Sequence, residues 1–326
     1  MKHFSLPKDG GLIETGLPKD ILHGYDKVFT ELFQDAYHAS EVVANELIAE
    51  VNAFVPTDEK PFFKLGLTTG STPMLLYGIL SQAYAEGRVS FRNVEIFSID
   101  EYYPSSKDEM QSRNYRLHHS LVDRIDVGKE NVHIPDGSVP QENLSEYCAD
   151  FDREARNLDL LVIGIGENGQ VGFNEAGSSF GSRTRAVILP YASRKRQAHN
   201  FNGDIANTPA SALTVGIDTM MSARRVILMA WGEKKANAVY RIAEGPQDTM
   251  CPATCFQNHP AASLYVDETA GAQLTRIVAP WKIGPCEWTR KFRRKAVVWL
   301  CTEVQKPILK LTHEDYLQNS LGELID

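Results

Sequence analysis

Along the chain, short apolar runs alternate with longer stretches in which apolar residues recur at helical spacing. That alternation is the signature of parallel strands joined by helical crossovers. The runs Phe62–Leu67, Val94–Ile99, Leu158–Ile165, Ala186–Leu189, Ala212–Ile217, Arg225–Trp231 and Ala262–Val266 read as strands of such a sheet. The stretches Thr72–Glu86, Tyr115–Asp123, Leu144–Arg156 and Glu233–Glu244 read as the helices between them, with a further helix over Asp35–Val51. The pattern predicts an α/β fold: a doubly wound, mostly parallel sheet with helices on both faces, Rossmann-like in layout. Residues 1–34 show no strong period and read as an N-terminal arm; residues 35–280 form the α/β domain. Residues 281–326, with Trp281, Trp288, Trp299 and the basic run Arg290–Lys295, read as a C-terminal extension packed on the same domain.

Composition narrows the function. At 43% hydrophobic and 23% charged, the 326 residues can bury a sizeable core. A net charge of -8 argues against nucleic acid as a partner, because phosphate backbones are gripped by basic surfaces. No apolar run approaches the roughly 20 residues of a membrane span, so no membrane partner is expected. The five cysteines are odd in number. Cys251 and Cys255 could form half of a metal site, but no second Cys/His pair stands at a matching distance, so we expect buried thiols, no metal and a reducing, cytoplasmic compartment. Homo-oligomerisation is left open.

In an open parallel sheet the chemistry sits beyond the carboxyl ends of the strands. Three loops there stand out. Thr68-Thr69-Gly70-Ser71-Thr72-Pro73 follows one strand and opens a helix, with Thr72 placed to cap, Pro73 suited to the first helical position and free N–H groups suited to an anion. Asp100-Glu101 ends the next strand, where a carboxylate can serve as a general base. The third loop, Gly164-Ile165-Gly166-Glu167-Asn168-Gly169, formally matches the dinucleotide fingerprint. That motif needs a helix at once; Gly172, Asn174 and Gly177-Ser178-Ser179 oppose one, so no dinucleotide cofactor is expected.

Taken in order, these loops resemble those of the glucosamine-6-phosphate deaminase family, which shares its fold with the 6-phosphogluconolactonases. Leu65 to Pro73 resembles the family's phosphate loop and Phe97 to Tyr102 its catalytic strand end; Phe173-Asn174-Glu175, Ser182 to Arg185 and Ala212 to Gly216 match further motifs. The similarity runs from about residue 38 to about residue 270. It implies a hexose 6-phosphate or amino-hexose 6-phosphate as ligand and conversion of glucosamine 6-phosphate to fructose 6-phosphate with release of ammonia. It implies that Asp100 moves the proton from C2, and that Thr69, Gly70, Ser71, Thr72 and Lys235 hold the phosphate. A phosphate-binding arginine of the family falls on His199, with Arg194 and Arg196 nearby. Ser178 and Arg185 match an effector-binding stretch of some members, although Val187 stands where those carry lysine.

The chain departs from the family in its third loop. There the family carries Asp-Gly-His, the histidine opening the sugar ring with the aspartate and the glutamate matching Glu175 holding it; this chain has Asn168-Gly169-Gln170. Glutamine makes hydrogen bonds but carries no proton at neutral pH. Losing a general acid–base group costs about 100- to 10,000-fold. The resemblance therefore implies an isomerase or deaminase impaired on cyclic amino sugars or retuned to another sugar phosphate, with a non-catalytic sugar-phosphate-binding regulator as the alternative.

Overall fold

In β6 (Leu160–Gly164) every residue from Leu160 to Ile163 is buried, and successive side chains enter different cores. Leu161 and Ile163 pack with Phe151, Val239 and Ile242 from two helices on one face. Leu160 and Val162 pack with Leu47, Leu76, Leu80 and Leu117 on the other. A strand covered on both sides reads as a continuous apolar run, the mark of a parallel sheet between helical layers.

The computed structural model describes residues 19–325; residues 1–18, most of the segment read as an arm, lie outside the described residues. The strands are β1 (Phe29–Phe33), β2 (Phe63–Leu67), β3 (Val94–Ser98), β4 (Asp100–Tyr103), β5 (Val132–His133), β6, β7 (Arg185–Ile188), β8 (Ser211–Thr214), β9 (Val226–Ala230) and β10 (Ala262–Asp267). Seven of them form a sheet in the order β1-β10-β9-β6-β2-β3-β5, parallel at each pairing. From β2 the chain winds outward through β3 to β5, and from β6 the opposite way through β9 and β10. The winding reverses between β2 and β6, and a crevice opens beyond their carboxyl ends. Helices Ala36–Ala53, Met74–Ala85 and Arg113–Ser120 cover one face; Leu144–Glu154 and Ala236–Ala243 cover the other.

The structure corrects the sequence expectation in three places. The runs read at Ala186–Leu189 and Ala212–Ile217 supply β7 and β8, which are not parallel strands; with β4 they make a separate antiparallel sheet, β4-β8-β7. Along β7, half-buried and exposed positions alternate, as in a sheet with one wet face. Residues 29–33, assigned to the arm, form β1 and pair with β10. The helix read from Thr72 begins at Met74, with Pro73 in the cap position and no side-chain cap.

Asp152 ties the small sheet to the main body. Its carboxylate accepts hydrogen bonds from the Thr184 N–H at 2.8 Å, the Thr184 hydroxyl at 2.7 Å, the Thr219 hydroxyl at 2.5 Å and the Arg183 guanidinium. Burial works against its charge, but these donors prevail and hold its pKa down at about 2. Past residue 278, Trp281, Ala296, Leu300 and Leu321 form a small core of their own, with Trp281 set edge-on to Trp299. The basic side chains Arg290, Lys291, Arg293, Arg294 and Lys295 are exposed around it. Among the described residues no helix is long and apolar enough to cross a membrane.

Candidate active site

Strands β2 and β6 end side by side, and the Thr68 hydroxyl accepts the Gly164 N–H at 3.2 Å, joining their loops. Beyond this joint lies a cleft of about 490 Å³. Gly70, Ser71 and Thr72 line it from the first loop. Thr72, freed from capping, accepts a hydrogen bond from Lys235 Nζ at 2.8 Å, while its carbonyl accepts the Trp231 indole N–H at 2.9 Å. Both partners come from the segment after β9, so the central strands close one end of the cleft together. Burial pushes the Lys235 ammonium down to a pKa of about 8, with Glu167 and Asp267 opposing the fall.

The other end is built where the chain leaves the parallel sheet. β3 stops at Ser98, and β4 starts at Asp100 in the small sheet, paired with Thr214 of β8. Asp100 is buried; desolvation pushes its pKa up, and Arg113 pulls it back. Gly172, at φ +57°, lets the third loop pass so close that an added Cβ would lie 3.5 Å from Asp100 Oδ2 and 3.0 Å from Thr214 Oγ1. Glu101 points elsewhere. It accepts the backbone N–H groups of Tyr102, Arg113 and Asn114 at 2.7, 2.9 and 2.9 Å, anchoring the start of helix Arg113–Ser120. That is an anchoring task, favoured by the positive end of the helix.

No helix follows the third loop. Instead Ile165 bridges Val171, and Val171 bridges Asn174. The dinucleotide fingerprint thus lacks the helix N-terminus it requires. Gln170 folds back toward Gly166 and accepts the Asn168 N–H at 3.2 Å. His199 lines the cleft, its Nδ1 2.7 Å from the Arg196 carbonyl oxygen, and Arg196 lies 3.9 Å from Glu167.

Of the residues predicted from sequence, Gly70, Ser71, Thr72, Asp100, Gln170, Arg196, His199 and Lys235 line this one cleft. Thr69, Asn168 and Glu175 are not among its lining residues. Thr69 is buried, its hydroxyl without a hydrogen-bond partner among the described residues; Asn168 is exposed on the shoulder. Glu175 borders a separate depression with Ser178, Arg185 and Val187. Sequence reasoning missed Arg113, Glu167, Gln197 and Lys234, which also line the cleft. A signal for Arg113 was present in Ser112, whose hydroxyl accepts the Tyr115 N–H at 2.9 Å and marks the helix start.

Comparison with known proteins agrees with this fold. Residues 34–265 match the family model for glucosamine-6-phosphate isomerases/6-phosphogluconolactonase. A putative glucosamine-6-phosphate deaminase-like protein of Bacteroides thetaiotaomicron is 38% identical over 317 residues; these are 96% of this chain but 47% of that protein, so the chain spans about half the relative's length. The glucosamine-6-phosphate deaminase of Hahella chejuensis is 41% identical over 219 residues, 67% of this chain and 84% of that protein. Among solved structures, a monomeric glucosamine-6-phosphate deaminase superposes with a TM-score of 0.69 at 30% identity, covering 75% of this chain and 99% of that one. The 6-phosphogluconolactonase of Trypanosoma cruzi shares the fold, with a TM-score of 0.62 at 18% identity over 78% of this chain and 99% of that one.

Proposed function

The chain belongs to the glucosamine-6-phosphate isomerase/6-phosphogluconolactonase family, and from that premise we propose that it binds a hexose or amino-hexose 6-phosphate and moves a proton on its open-chain form. One observation carries the proposal: the Lys235–Thr72 pair and the buried Asp100 open onto the same cleft. A phosphate fits the first end, where an ammonium, hydroxyls and loop N–H groups converge. Carbon-bound hydrogen fits the second. A carboxylate whose pKa is raised by burial is a stronger base toward carbon than an exposed one.

In this scheme Asp100 accepts the proton from C2 and returns it to C1, turning an aldose into a ketose. For a 2-amino sugar the same shift leads to loss of ammonia. Gln170 occupies the cleft where a ring-opening group would act and cannot carry the proton. Turnover of cyclic glucosamine 6-phosphate is accordingly low. The test is calorimetric titration with glucosamine 6-phosphate and with glucosamine, beside measured ammonia release. Binding of the phosphate ester alone, with slow release of ammonia, is the expected result; equal affinity for the two sugars rejects the phosphate end.

A role as a binding protein without turnover is favoured by the same Gln170. It predicts that deuterium from solvent does not enter C1 of bound fructose 6-phosphate. Incorporation blocked by Asp100→Asn decides for catalysis.

A further inference from the structure

Arg113 is an unusual tenant of this cleft. It is 5% exposed, yet it lines the cavity. Its guanidinium lies over two neighbouring rings, with Cζ 4.8 Å from the centre of Tyr102 and 5.2 Å from that of Phe173. Its backbone is fixed by the Glu101 carboxylate. Its Nε lies 3.6 Å from Asp100 Oδ1, and neither atom finds a hydrogen-bond partner among the described residues. A buried donor and a buried acceptor left without hydrogen-bond partners are costly to a folded protein. Cores remove such pairs; sites keep them for a ligand.

Resting on the sugar-phosphate reading above, we propose that Arg113 receives the oxyanion formed when Asp100 takes the C2 proton. The C2–H bond breaks and its proton passes to the Asp100 carboxylate. The bonding electrons become the C1=C2 double bond, and the carbonyl pair settles on O1, which Arg113 faces as a fixed cation. Asp100 loses its charge in the same step, so Arg113 exchanges one anionic partner for another and the total charge of the buried trio is unchanged. An arginine cannot give up its proton at these pH values. It stabilises the open-chain intermediate without replacing a ring-opening acid, which fits a site that has Gln170. The ligand class follows: a phosphate at the Lys235 end and a carbonyl, or a stable anion in its place, beside Arg113.

Two ligands differing only at C1 test this: a hexitol 6-phosphate, with a neutral CH₂OH, and the matching hexonate 6-phosphate, with a carboxylate. The hexonate should bind the native protein about tenfold or more tightly, the size of one charge-assisted hydrogen bond. In Arg113→Met, checked by circular dichroism, that preference should vanish while hexitol affinity stays within about threefold. Asp100→Asn, which removes the competing carboxylate, should widen it. Where Arg113→Met does not fold, Arg113→Gln carries the same test. Hexitol binding with no preference in the native protein, or a preference surviving in the folded variant, overturns the role of Arg113 and leaves the cleft assignment standing. Failure of both ligands to bind the native protein overturns the cleft assignment and this role with it.

Discussion

Lys235 Nζ donates to the Thr72 hydroxyl across 2.8 Å, so the segment after β9 is latched to the loop after β2. The bond makes the ammonium part of the cleft wall, and burial there brings its pKa to about 8. In the free protein, therefore, the lysine is partly neutral just above neutrality. A phosphate dianion favours the charged form.

Hexose 6-phosphate binding should take up protons near pH 8 and weaken as pH rises through that value. Calorimetry in two buffers of different ionisation heat measures the uptake. Lys235→Ala should bind at least about tenfold more weakly, the size of one charge-assisted contact, and show no uptake at that pH.

Reintroducing a proton carrier should restore turnover on the cyclic amino sugar. Gln170→His places an imidazole in the cleft, and Asn168→Asp adds a carboxylate on the exposed shoulder of the same loop, where the residue 168 N–H already meets the residue 170 side chain, to favour the imidazole's charged form. We expect the pair to gain about 100-fold or more in ammonia release, exceeding the product of the singles, because groups acting as a unit are not additive. Asn168→Asp alone should gain nothing. A folded double variant that binds the ester and stays inactive would locate the defect elsewhere, with His199 the next residue to change.

Asp152 should dominate the acid limb of stability. Its folded pKa of about 2 lies below its ordinary value of 3.8, so its contribution is complete above about pH 4 and is lost as pH falls toward 2. Asp152→Ala should cost about 2–3 kcal/mol at pH 7, since the Thr184 and Thr219 donors lose their acceptor. It should also flatten the acid limb. Urea unfolding at pH 7 and pH 3 measures both.

Gly172→Ala should impair folding and the site together. At φ +57° a side chain costs about 1–2 kcal/mol, and the new Cβ would press on Thr214 Oγ1 at 3.0 Å and Ile99 Cδ1 at 3.2 Å, both next to Asp100 in the chain or the sheet. A variant with wild-type stability and wild-type deuterium exchange would show that the backbone relaxes freely there.

The parallel core and both ends of the cleft were legible in the sequence because β2, β3, β6 and β9 are buried on two faces and announce themselves as apolar runs. Whatever follows such a run is placed by the fold, which is why Thr72 and Asp100 stood out, whereas Lys235 was named only through the family resemblance. Arg113 was hidden because no strand delivers it; it is set by Glu101 gripping the start of a helix whose own pattern is weakly apolar. β7 and β8 were misassigned because strands of four residues show too little alternation to separate a one-sided sheet from a two-sided one. β1 is a five-residue edge strand whose burial depends on β10, far along the chain. Asn168 and Glu175 were named through their neighbours in the chain, and a loop that doubles back carries such neighbours out of the cleft.

Ser98 and Asp100 belong to different sheets, with Ile99 as the single residue between them. Thr72 and Lys235 therefore sit on loops that leave the large sheet, while Asp100, the proposed base, rides on the small one. The distance between them is set by how the two sheets dock, with Ile99 alone joining the strands that carry it. Under the proposed function the cleft works as a caliper: it gauges the number of carbons between a phosphate and a reacting hydrogen, and a sugar one carbon shorter would reach only one jaw.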